Sequence, residues 1–228
     1  MNLLSILIQA QNAAISTPEA EEIKLSLWEL AKEGGWIMIV LAIFSVIAVY
    51  IFTERFIAIN RASKRDDNFM NLIRNFMIEG KLKEAKDLCQ MTDTPISRMI
   101  EKGISRIGKP LSDIQTAIEN VGNLEVSKLE KGVAFIGMIS GAAPMLGFLG
   151  TVTGMIRAFY DMSMAGNNID IELLSAGIYE AMVTTVGGLF VGILAYIFYN
   201  IIVAKIDKVV NLLESKSVEF MDVLNEPA

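Results

Sequence analysis

Apolar residues fall along this chain in three uncharged runs, residues 34–53, 133–156 and 181–204. Each is long enough for a helix to cross a bilayer, which takes about 20 mostly apolar residues. The pattern therefore places spanning helices at residues 34–53, 133–157 and 180–204. Trp36 opens the first run and Tyr196 and Tyr199 sit late in the third, where interfacial aromatics belong. Between spans one and two the period becomes that of amphipathic helices. Leu72, Ile73, Phe76 and Met77 recur at helical spacing, Gly80 is a stop, and Leu82, Ala85, Lys86 and Leu88 begin another helix. Thr94 and Pro95 open a helix with Ile96, Met99, Ile100 and Ile104 on one face, ended by Gly108 and Pro110. Ser112 is expected to cap a single long helix that passes Gly122 and Gly132 and runs into span two. Span three is expected to continue through Val209, Leu212, Leu213, Val218 and Phe220. The fold class is an all-α membrane protein with three transmembrane helices, two of them extending into a helical cytoplasmic domain.

Charge orients it. Arg55, Arg61, Lys64 and Arg65 follow span one, Lys128 and Lys131 precede span two, and Lys205 and Lys208 follow span three. The stretch 158–179 has no Lys or Arg and carries Asp161, Asp170 and Glu172. By the bias of Lys and Arg toward cytoplasmic loops, residues 54–132 and 205–228 lie inside and residues 158–179 form a periplasmic loop. The N-terminus is then outside and the C-terminus inside, as expected of a bacterial inner-membrane protein. Residues 1–33 read as a periplasmic or interfacial arm with an acidic patch at Glu19, Glu21 and Glu22; the apolar stretch 3–8 is too short to span and lacks the basic flank of a signal peptide.

Composition removes whole classes of chemistry. A hydrophobic share of 53% and a mean hydropathy of +0.46 fit the membrane reading, and a net charge of −6 argues against a nucleic-acid partner. With no His, the commonest general base and metal ligand are missing. Cys89 is the single cysteine, so no internal disulfide and no CxxC site can form, and neither phosphate-binding glycine motif occurs. No catalytic residue, cofactor or metal is expected, and the chain does not read as an enzyme.

Function must then lie with polar groups in the membrane, which are costly there and usually functional. In span two, Ser140, Pro144, Gly147 and Thr151 follow one another at steps of four, three and four, which stacks them on one face. That face is a candidate pore lining, and close helix packing by small residues explains it equally well. Gly137 and Gly141, then Gly147, Gly150 and Gly154, make a smooth surface expected to lack a complete partner among three spans and so to demand other subunits. Span three opens with Glu180, at home at a helix start and also a candidate ion-access group. Thr184 lies one turn on along the same face, whereas Thr185 is rotated about 140° from Glu180. Glu54 and Arg55 close span one as an ion pair, either solvated or tied to the cytoplasmic helices.

The string APMLGFLGTVTGM at residues 143–155, followed about 25 residues later by EAMVTTVGGLFVG and then Tyr199 and Asn200, resembles the paired membrane signature of the MotA/TolQ/ExbB proton-channel family. Three spans with the N-terminus outside resemble its ExbB and TolQ branch. The resemblance implies a homopentameric ring in the inner membrane around the single-span helices of an ExbD- or TolR-like partner. It implies conversion of proton motive force into work on a TonB- or TolA-like protein, for outer-membrane transport or envelope maintenance. It also implies that Thr151 and Thr185 face a central pore and that Glu180 is the family's acidic residue at the start of its last span. Where the family often has proline in an AIPA-like string, this chain has Leu194.

Residues and resemblance meet at one point. The three spans hold no Asp, His or Lys, and their single carboxylate, Glu180, sits near the outer end. A titratable mid-membrane carrier must come from another chain, so the reading is the ring-forming subunit of a proton-driven motor. A structural scaffold or a small secondary transporter are the alternatives; the first needs no hydroxyls facing water and the second needs repeats or broken helices.

Overall fold

The computed structural model describes residues 35–63, 68–164 and 171–225, the side chains of residues 172 and 173 apart. The arm at residues 1–33 with its acidic patch, and also Lys64, Arg65 and Asp170, lie outside the described residues. Seven helices are described: α1 (Gly35–Ala62), α2 (Phe69–Ile78), α3 (Leu82–Thr92), α4 (Pro95–Ile104), α5 (Leu111–Glu130), α6 (Val133–Met164) and α7 (Ile171–Asn225). Three stretches are long and apolar enough to cross a membrane: α1, the α6 part of the α5–α6 column, and α7. At 1.5 Å per residue, the 55 residues of α7 extend about 80 Å, far beyond a hydrocarbon core. α7 is thus one rod shared by the membrane and the polar bundle, and it runs unbroken through Leu194.

Local chemistry sets the short helices. Thr94 accepts from the Ser97 amide while the Ser97 hydroxyl accepts from the Thr94 amide, a reciprocal capping box with Pro95 in the first helical position. Ile96, Met99, Ile100 and Ile104 are buried on the inner face of α4, against Ile118 of α5 and Phe220 of α7. Gly103 makes that approach possible, since a Cβ there would stand 2.6 Å from the Phe220 ring. Gly80 turns the chain after α2 with φ +69, and Gly108 after α4 with φ +92, conformations that suit glycine.

Three expectations are corrected. The helix expected to run unbroken into span two is divided at Lys131 and Gly132, where Gly132 takes φ +83; α5 and α6 are separate elements joined by a sharp joint. Ser112 does not cap α5: it lies inside the first turn, Pro110 holds the cap position, and no side chain caps the helix. The helices also reach into the stretch read as a loop, α6 to Met164 and α7 from Ile171, because residues 158–164 contain no breaker. Gly177 lets α7 approach α6 there, since a Cβ on it would stand 2.6 Å from Ala158 Cβ.

Candidate functional site

α6 and α7 touch along a seam of small residues. A Cβ at Gly188 would stand 2.6 Å from the Ala143 carbonyl oxygen and 2.8 Å from Gly147 Cα; one at Gly147 would meet the Thr184 carbonyl at 2.9 Å. Gly150 faces the Thr184 side chain, Gly154 faces Ala181, and Gly177 faces Ala158. In lipid there is no hydrophobic drive between helices, so such contact works through dispersion at close backbone approach. The expectation that the glycine surfaces lack a complete partner within the chain is therefore narrowed to one position. From Gly147 to Gly154 the surface is covered by α7, Gly137 is covered by Tyr199, and Gly141 alone of the span-two glycines has nothing within 4 Å.

The face of Ser140, Pro144, Gly147 and Thr151 is divided by this packing. Pro144 has no N–H and frees the Ser140 carbonyl, which lies beside Gly192, while the Pro144 ring itself sits on Gly192. Ser140 and Thr151 turn their hydroxyls back onto their own helix, donating to Gly137 O at 2.7 Å and Phe148 O at 2.6 Å. Thr185 instead donates across the seam to Gly147 O at 3.1 Å. Thr184 is 2% exposed and donates to Ala181 O at 2.7 Å, with Gly147 O at 3.5 Å. Two adjacent hydroxyls of α7 thus converge on the Gly147 carbonyl.

Glu180 and Thr184 share a face, and at the hairpin end of the spans they line a cavity of about 130 Å³ between the start of α1, α6 and α7. Gly35, Trp36, Thr153 and Arg157 line it as well. Gly35, with φ +61, approaches so closely that a Cβ there would stand 2.8 Å from the Glu180 carboxylate. Among the described residues, neither Glu180 nor Arg157 makes a hydrogen bond or ion pair. Arg157 escaped the sequence reading, although it is the one basic residue between Lys131 and Lys205. A larger groove of about 520 Å³ between α5 and α7 lies in the polar bundle, remote from these groups.

At the other end of α1, Arg55 pairs with Glu54 and donates from Nη1 to Lys128 O at 2.8 Å. That carbonyl belongs to the last turn of α5, freed by the break at Gly132, and a cation suits a helix C-terminus. Lys128 Nζ in turn donates to Glu125 Oε1 at 2.6 Å, and Arg98 Nη2 donates to Glu125 Oε2 at 2.7 Å. Arg98 Nη1 also reaches Asp93 Oδ1 at 2.5 Å. The Glu125 side chain is 5% exposed. Burial alone pushes its pKa up, but hydrogen bonds from Arg98 and Lys128 outweigh this and hold it below the ordinary 4.5. Glu125 also escaped the sequence reading, although it falls in the buried stripe of Ile114, Ile118, Gly122 and Leu129. Cys89 is buried, and its thiol is pushed up to about 12 by burial and the nearby Glu101 charge.

The profile of the MotA/TolQ/ExbB proton channel family matches residues 91–215, more than half of the chain. An ExbB homolog of Methanothermobacter thermautotrophicus, described as a biopolymer transport protein, is 27% identical over 187 residues, covering 82% of this chain and 66% of that protein. The Tol-Pal system protein TolQ of Pseudomonas aeruginosa is 23% identical over 215 residues, covering 88% and 93%. The biopolymer transport protein ExbB of Neisseria meningitidis is 24% identical over 178 residues, covering 72% and 79%. With α6 and all of α7 up to residue 215 inside the matched region and three helices able to span a membrane among the described residues, the chain belongs to the MotA/TolQ/ExbB proton channel family, in its ExbB/TolQ-like branch.

Proposed function

We propose that this chain is the ring-forming subunit, five to a ring, of a proton-driven motor in a bacterial inner membrane, with the α6–α7 hairpin end outside and the α2–α5 bundle in the cytoplasm. It encloses a single-span partner of the ExbD or TolR kind and passes motion to a TonB- or TolA-like protein. The observation that carries the reading is the distribution of titratable groups. Over the spanning stretches 133–157 and 180–204 the α6–α7 pair offers hydroxyls at Thr151, Thr184 and Thr185 but has its one carboxylate, Glu180, at the hairpin end, so it can guide protons and cannot relay them across the midplane alone. A partner helix with a membrane carboxylate supplies the missing step. Each proton that crosses releases about 2.3 kcal/mol per 100 mV, enough to bias a symmetric ring between neighbouring arrangements.

The test is proton flux in proteoliposomes under an imposed potential. Flux is expected when the chain is reconstituted with its co-purifying single-span partner and not from the chain alone. Flux from the chain alone, or none with the partner present, would sink the reading. Glu180→Gln should abolish the flux and Glu180→Asp should retain part of it, because the role rests on charge.

A second reading, a structural scaffold, is favoured by one observation: the Thr184 and Thr185 hydroxyls are both engaged with carbonyls at the helix seam. It predicts normal ring assembly and no proton flux under any condition.

A further inference from the structure

The 130 Å³ cavity at the hairpin end brings together an acid and a base that do not touch each other. A space of that size holds several waters, each needing only about 10–15 Å³ of such volume. Its walls supply the two to four polar partners that waters require: the Glu180 carboxylate, the Arg157 guanidinium and the Thr153 and Thr184 hydroxyls. Gly35 leaves room for the acid at the start of α1, where a Cβ would stand 2.8 Å from the carboxylate. The base is the only cation on α6 beyond the Gly132 joint and stands exposed at the rim. A water-lined passage with a carboxylate inside attracts every cation, and a guanidinium at its mouth opposes that attraction for ions that must bring their own charge and hydration shell. A proton relayed along waters requires no such ion to enter.

We propose that this cavity is a water-filled vestibule, one in each protomer, that connects Glu180 with the solution at the hairpin end, and that Arg157 is its selectivity residue, repelling metal cations while protons reach Glu180 through water. The proposal rests on the proton-motor reading above for what Glu180 does, and adds the route and the residue that filters it. The competing account of Arg157 is that it merely extends to lipid headgroups from the last turn of the span.

Local potential in the vestibule can be measured directly by charge-dependent thiol labelling of the full-length chain. Cys89 gives no background, being buried with its thiol pushed up to about 12. Thr153→Cys places the probe on the vestibule wall; Trp36→Cys serves on the opposite wall if the first variant does not accumulate. Right-side-out and inside-out vesicles are treated with a sulfonate-bearing methanethiosulfonate and with its trimethylammonium counterpart, each rate taken relative to a free thiol in solution. The expected result is labelling from the hairpin side with the anionic reagent favoured by about tenfold. Arg157→Gln should remove or invert that preference, Arg157→Lys should keep it, and Glu180→Gln should enlarge it. Failure of both probes to label from either side means there is no open vestibule and overturns the proposal. A preference unchanged by Arg157→Gln overturns it too, and assigns Arg157 to the headgroups. The labelling ratio needs no partner and no proton flux, so the proposal fails or stands separately from the motor reading, which flux decides.

Discussion

In the α6–α7 pair and in the α4–α5 bundle the same task, holding helices in register, is met by opposite chemistry. The membrane seam uses absence: Gly147, Gly150, Gly188 and Gly192 withdraw their side chains so that backbones meet, and among the described residues the hydrogen bonds across it are threonine hydroxyls on one carbonyl. The bundle uses charge: Glu125 is buried and satisfied by Arg98 and Lys128, and Arg55 attaches the whole cluster to the end of α1. Solvent explains the division. In lipid a charge is too costly to serve as glue, whereas close packing loses nothing to competition from water. Beside water the reverse holds, since long charged side chains can shed their heads' hydration gradually at a half-covered site. The two regimes meet at Gly132, whose positive φ marks the change from one column to the next.

The largest effect should come from closing the seam's gap. Gly188→Leu puts a Cβ against the Ala143 carbonyl and Gly147 Cα, both backbone atoms that cannot step aside, so α6 and α7 must part. The expected loss is at or above the upper end of the usual overpacking range, about 1–3 kcal/mol. Thermal unfolding in mild detergent should show a large drop in midpoint or no folded protein. Gly141→Leu is the control, with nothing within 4 Å of its Cβ, and should stay within about 0.5 kcal/mol of wild type in the monomer. If Gly141→Leu disturbs only the assembled state, that glycine faces another subunit.

A smaller effect is expected from breaking the charged counterpart. Glu125→Gln removes the charge that Arg98 and Lys128 share and leaves Arg98, whose Nε already lacks a partner, with the exposed Asp93 as its remaining counter-charge. Because Arg98 and Lys128 are 35% and 68% exposed, water recovers part of the loss, and a cost of about 2 kcal/mol is expected in place of a fully buried pair's 3–5. The pH dependence has a definite sign. Glu125 has a folded pKa below its ordinary 4.5, so the unfolded chain binds its proton first. Its contribution is fully present above about pH 4.5 and is lost as pH falls through the lower folded value. The stability gap between wild type and Glu125→Gln, measured by urea unfolding, should therefore be constant near neutrality and shrink below pH 4.5. A gap independent of pH would show that the carboxylate charge contributes nothing.

How far each region could be read from sequence follows from the same division. Hydropathy suffices to find the spans in α1, α6 and α7, since a span must be apolar along its whole length whatever its neighbours are. Thr94, Pro95 and Gly80 state their roles locally, through capping and positive φ. What stayed hidden depends on partners distant in sequence. In the sequence Gly132 looks no different from the helical Gly122; in the structure its positive φ ends α5, and Arg55 takes up the Lys128 carbonyl freed there. Glu125 reads as one more surface acid until Arg98 is placed opposite it. The glycine strips in spans two and three were each visible, but their mutual covering was not, because spacing along one helix does not say which other helix it meets. Thr185 illustrates the same limit: its rotation from Glu180 was calculable, its acceptor on Gly147 was not.

The smallest stability effect carries the sharpest functional distinction. Thr185→Val keeps the shape and removes the donor to Gly147 O, a hydrogen bond between membrane helices, which averages about 0.6 kcal/mol and reaches about 1.7. Thr151→Val removes a hydroxyl bonded only to its own helix at Phe148 O, so the α6–α7 seam should not register the change. Unfolding in detergent should therefore show a modest loss for Thr185→Val and almost none for Thr151→Val. Proton flux with the partner is then measured on both variants at matched assembly. If the hydroxyls face a water path, both variants should lose flux, although only one loses stability. If the hydroxyls serve packing, flux should follow stability, with Thr151→Val near wild type and Thr185→Val reduced in proportion to its unfolded fraction. Normal flux in Thr151→Val would remove that residue from the pore and leave the seam as the reason for the Thr185 hydroxyl.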